Sequence, residues 1–71
     1  MSAWILDKLA PDDEGSLYGT TAEAEAALEQ MIRNFKAREY MVSKTGDEDD
    51  PLYSVADQEG VPVGIYYIYS D

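Results

Sequence analysis

Residues 20–37 read TTAEAEAALEQMIRNFKA, and this stretch decides the fold class. Thr20 followed by Glu23 fits the capping box, in which the threonine hydroxyl and the glutamate carboxylate each satisfy a free backbone N–H at a helix start. Ala24, Ala27, Leu28, Met31, Ile32 and Phe35 then recur at helical spacing and form one apolar stripe. Glu23, Glu25 and Glu29 lie in the first half, while Arg33, Lys36 and Arg38 lie toward the end. That order complements the helix dipole, and Glu29 with Arg33 adds an i,i+4 pair. The spacing predicts a helix from about Thr21 to about Ala37.

Outward from the helix, the remaining segments read as strands and turns. Ala3 to Leu9 alternates as a strand, with Trp4 and Leu6 on one face and Ile5 and Leu9 on the other. Pro11-Asp12-Asp13-Glu14-Gly15 is a turn or loop, since proline fixes φ and glycine tolerates positive φ. Ser16-Leu17-Tyr18 is a short extended piece leading into the helix. Beyond the helix, Tyr40 to Ser43 is a strand, Thr45 to Pro51 a polar loop and Leu52 to Ala56 another strand. Asp57-Gln58-Glu59-Gly60 is a tight turn, and Val61 to Tyr69 a last strand in which Pro62 takes an early or edge position. The last two strands form a hairpin. The whole predicts a single α+β domain over residues 1–71, one helix packed on one face of a small antiparallel sheet in the order β-α-β-β-β. Its expected core is Trp4, Leu28, Met31, Ile32, Phe35, Val55, Val63 and Ile65.

Seventy-one residues leave no room for a second core, and no cysteine or histidine is present to supply a disulfide or a structural zinc site. An apolar fraction of 45% separates the chain from disordered acidic tails. Met1 to Asp7 holds no basic region and no long apolar run, so no signal peptide is expected. Val61 to Tyr69 is too short to span a bilayer. A cytoplasmic location is expected. Fifteen acids against five bases give a net charge of −10. Such a charge repels nucleic acid and anionic membranes, which excludes direct contact with either.

The residue inventory also argues against catalysis. Without histidine or cysteine the commonest general base and thiol nucleophile are missing. A pair of carboxylates could do acid–base work, but these acids fall in turns or on the solvent side of the helix. No glycine-rich phosphate loop is present, and no cofactor is expected. Asp47-Glu48-Asp49-Asp50 fails the EF-hand pattern: counted from Asp47, the sixth residue is Leu52 and the twelfth Gln58. No metal site is assigned.

Charge and aromaticity carry the functional reading. Residues 1–29 sum to −6, residues 30–45 to +3 and residues 46–71 to −7. Asp12, Asp13, Glu14, Glu25, Glu29, Asp47, Glu48, Asp49, Asp50, Asp57 and Glu59 are therefore the candidate partner-binding residues. Converging in space, they form a negative surface able to occupy a groove built for phosphates. Dispersed, they aid solubility and protect sheet edges. Six tyrosines form a second group, Tyr18, Tyr40, Tyr53, Tyr66, Tyr67 and Tyr69. One helix covers one sheet face, so the other face shows aromatic side chains suited to stiffening the sheet or to an interface such as a homodimer.

In size, acidity, lack of histidine and cysteine, and α+β layout, the chain resembles small phage-encoded inhibitors of bacterial defence, particularly anti-CRISPR proteins. Some of these are nucleic-acid mimics that block target-DNA binding. The resemblance spans the whole chain in composition and element order, and no functional residue is carried over from it. It implies a protein-binding inhibitor of a basic nucleic-acid-handling protein or complex, acting in the host bacterial cytoplasm. The alternatives are an immunity or antitoxin-like protein against a nuclease, and a phage structural or assembly protein joined through its tyrosine-rich sheet face.

Overall fold

The helix forms where its caps and stripe place it. The computed structural model describes residues 2–70. Met1, which entered the reading of the N-terminus, and Asp71, which entered the charge sum, lie outside the described residues. Helix α1 spans Thr21–Ala37, with Thr20 extended before it and its hydroxyl accepting the Glu23 N–H at 3.1 Å. Among the described residues the Glu23 carboxylate makes no bond back to Thr20, so half of the capping box forms. The helix ends in a Schellman motif: Tyr40 N–H donates to Phe35 O and Glu39 N–H to Lys36 O, both at 3.0 Å. Glu39 takes the left-handed position at φ 65°, where glycine is the usual residue. The apolar contact that accompanies this motif is also present, as the Phe35 and Tyr40 rings stack 5.7 Å apart.

Five strands form one antiparallel sheet: β1 Ala3–Asp7, β2 Ser16–Tyr18, β3 Met41–Gly46, β4 Pro51–Ala56 and β5 Pro62–Ser70, in spatial order β2-β1-β5-β4-β3. The element order is thus β-β-α-β-β-β, one strand more than the sequence pattern predicts. Ser16–Tyr18 pairs with β1 because the preceding loop reverses the chain. Asp13 Oδ1 accepts the Gly15 N–H at 2.9 Å, and Gly15 sits at φ 74°. A Cβ there would collide with Ile5 O and Leu6 Cδ2, so the return is open to glycine alone. The loop expected over residues 45–51 is shorter, because Thr45 and Gly46 pair with Leu52 and Pro51. The β4–β5 turn is closed by Asp57, whose Oδ1 accepts from both Glu59 N–H and Val61 N–H at 2.9 Å.

The helix covers the sheet face that carries Ala3 and Ile5. These two side chains bury with Ala24, Leu28, Ile32 and Val55. Trp4, Val63 and Ile65, expected in the core, lie outside it. Neighbouring residues in a strand point to opposite faces, so burying Ala3 and Ile5 turns Trp4 away from the helix. Ala3 and Ala24 have no exposed surface, and their small side chains let helix and sheet approach closely. In β5 the inward set is Gly64, Tyr66 and Ile68, which leaves Ile65 half-buried on the opposite face. Val63 is the extra residue of a bulge, since Val55 pairs with Gly64 while Ala56 pairs with Pro62. Met31 and Phe35 pack half-buried against the core. Phe35 stacks on Tyr66 at 5.8 Å, and the Tyr66 ring lies back over Gly64, where a Cβ would come within 2.6 Å of it.

Candidate functional site

The strand directions decide where the candidate acids go. The loop after β1, carrying Asp12, Asp13 and Glu14, leaves the same end of the sheet as the β4–β5 turn with Asp57 and Glu59. Because β1 and β5 are neighbours, these acids flank one another. The same end receives the helix C-terminus, with Lys36 and Arg38, and it also carries Lys8. Asp47, Glu48, Asp49 and Asp50 form the β3–β4 loop at the opposite end, separated from Asp57 by the six residues of β4, about 20 Å at ~3.3 Å per residue. Glu25 and Glu29 lie exposed on the helix. The acids therefore occupy two ends and an outer helix face. They do not converge on one patch.

Some of these carboxylates are already engaged. Glu29 Oε1 accepts from Arg33 at 2.8 Å in an exposed pair, the one ion pair among the described residues. Asp13 and Asp57 brace turns through their Oδ1 atoms. Sequence reasoning assigned no role to Asp7, whose Oδ1 accepts from Leu9 N–H and from Ile65 N–H at 2.9 Å and so ties the end of β1 to β5. No local pattern announces that bond, because its partner lies 58 positions away in the chain. Burial, and secondarily the Asp7 carboxylate, push the Tyr66 phenol above its ordinary pKa.

The face of the sheet opposite the helix is the second feature. By alternation and register it carries Leu17 of β2, Trp4 and Leu6 of β1, and Ile65, Tyr67 and Tyr69 of β5. Trp4 stands opposite both Leu17 and Tyr69, and its ring lies 5.8 Å from that of Tyr69. Leu17 is 63% exposed and Tyr69 54% exposed. The two charged residues within strands, Asp7 and Lys44, both fall on the helix side, opposite Tyr66 and Tyr53. The open face therefore carries no charged strand residue. Lys8 reaches it from the end of β1, its Nζ 5.6 Å from the Tyr67 ring centre. Leu17 was legible only as one apolar residue in a short extended piece; its place beside Trp4 depends on the β1–β2 pairing.

Two concavities complete the surface. An open groove of about 340 Å³ runs between Tyr40, Asp57, Gln58 and Glu59, where Gln58 Nε2 donates to Arg38 O at 3.0 Å. A smaller hollow of about 200 Å³ holds Asp7 and Asp13 beside Met31 and Tyr66, but one oxygen of each carboxylate is occupied by backbone N–H groups. Among the described residues no group of three or more acids is arranged to hold a metal ion, and no helix is long and apolar enough to cross a membrane. No known protein family, curated protein or solved structure matches the chain.

Proposed function

We propose that the protein is a protein-binding inhibitor that presents acidic surface to a basic, nucleic-acid-handling partner, in the manner of anti-CRISPR proteins that block DNA binding. The observation that carries this reading is the imbalance of charge: fifteen acids against five bases, with one ion pair among the described residues. An exposed field of this size is unmatched within the molecule and attracts a cationic surface, giving fast, salt-sensitive association. Its two acidic ends stand about 20 Å apart, more than twice the ~8 Å Debye length at physiological salt, so each acts as a separate anchor. Each anchor would reach lysines or arginines of a groove that otherwise binds phosphates. Competition for that groove is steric and electrostatic, and it requires no catalytic group.

The test is capture with tagged protein from bacterial lysate, including a CRISPR-bearing strain, washed at low and high salt. Recovery of a nucleic-acid-binding complex that high salt or added DNA releases supports the reading. Capture of itself alone, or of a partner indifferent to salt, contradicts it.

A further inference from the structure

An antiparallel sheet with one face on a helix ordinarily turns polar side chains to water on the other. On β2, β1 and β5 that outer face carries Trp4, Leu6, Leu17, Ile65, Tyr67 and Tyr69; on β3 and β4 it turns more polar, with Ser43 and Ser54, and no strand residue on it is charged. Charge has gone to the loops, the helix and the helix side of the sheet, so the apolar surface is framed by acidic loops at both ends of the sheet. This is the plan of a protein interface, in which an aromatic centre is shielded from water by a polar rim.

We infer that the outer sheet face around Trp4, Leu17 and Tyr69, whose strand residues carry no charge, docks an apolar patch on a cationic protein, while the acidic loops at its two ends pair with lysines and arginines around that patch. The inference rests on the proposed function and adds the surface and the chemistry of the partner. Charge selects the occupant. A second copy would bring another −10 against the first, and its acidic loops would meet acidic loops. Area points the same way. The apolar part spans three strands, which at ~4.8 Å spacing and ~3.3 Å rise over about five residues give roughly 240 Å², under a third of the ~800 Å² per partner of a standard stable interface. The face needs its rims to complete an interface, and those rims are acidic.

Trp4 is the sole tryptophan and stands between Leu17 and Tyr69, so its emission reports contact there. The full chain is titrated with two probes: poly-lysine, which is cationic and has no apolar face, and a synthetic amphipathic helix of lysine and leucine. The expected result is saturable binding of both, with a blue shift of Trp4 emission for the lysine–leucine peptide alone. The double variant L17S/Y69S, made at exposed positions, should weaken that peptide by about tenfold or more and leave poly-lysine affinity unchanged. Equal binding of both probes with Trp4 emission unmoved overturns the docking face and leaves the acidic-inhibitor reading standing. Failure of both probes to bind overturns both. A dimer in sedimentation that buries Trp4 makes the face a self-association surface and overturns the inference.

Discussion

The end of the helix offers a prediction that separates backbone strain from charge. Glu39 occupies the C′ position of the Schellman motif at φ 65°, where an L side chain costs roughly 1–2 kcal/mol relative to glycine. Glu39→Gly removes that cost but lets the unfolded chain gain entropy of about 0.5–1 kcal/mol, so the expected net stabilisation is about 0.5–1 kcal/mol. For a domain of this size each kcal/mol moves the melting temperature by about 4–8 °C. Glu39→Ala is the control, since it removes the same carboxylate from the negative end of the helix and keeps a Cβ in the strained position. Both variants are melted under circular dichroism at one ionic strength. Glycine should melt several degrees above alanine. Equal melting temperatures would show that the αL geometry costs no more than the entropy glycine adds to the unfolded chain, which refutes the strain assigned to this cap.

Other outcomes follow from the same packing. Phe35→Ala removes a ring stacked on both Tyr40 and Tyr66 and should cost about 3 kcal/mol, enough to unfold much of a domain this small; a denaturant midpoint like the parent's would refute its place in the core. Gly64→Ala forces the Tyr66 ring off the strand and should destabilise by about 1–3 kcal/mol, whereas the double variant G64A/Y66A should show a smaller loss than the two single effects added. The folded protein holds the Tyr66 proton to higher pH than the unfolded chain, so this group leaves stability unchanged below about pH 10 and lowers it above, until the folded phenol itself ionises. Denaturant titrations should then show a shallower alkaline decline for Tyr66→Phe, and an identical slope would contradict the shift. Neutralising Asp47, Glu48, Asp49 and Asp50 together should leave the melt intact, since all four are exposed, and weaken association with poly-lysine; unchanged affinity would remove that loop from the binding surface.

The helix was legible because its signals are local: a cap, a stripe and a charge gradient lie within residues 20–38, and Thr21–Ala37 is the observed span. The β4–β5 hairpin was legible for the same reason, with Asp57 and Gly60 marking its turn. Which strand face meets the helix was not. Trp4 outweighs Ala3 in any count of apolar groups, yet the helix settles on the face of Ala3 and Ile5, where the small side chains of Ala3 and Ala24 permit close approach. Gly64 likewise reads as a break in a strand until the Tyr66 ring is seen to fill its place. The acids were visible as charges, but their division between two ends depends on strand direction, which no local pattern encodes. Asp12, Asp13, Glu14, Asp57 and Glu59 are neighbours only because β1 and β5 pair across the chain.

The most direct test of the central claim is displacement of labelled duplex DNA from the captured partner. The account predicts that the protein and DNA exclude one another, with the inhibitory concentration rising steeply with salt and rising again when Asp47 through Asp50 are neutralised. A stable ternary complex of partner, DNA and protein would contradict it.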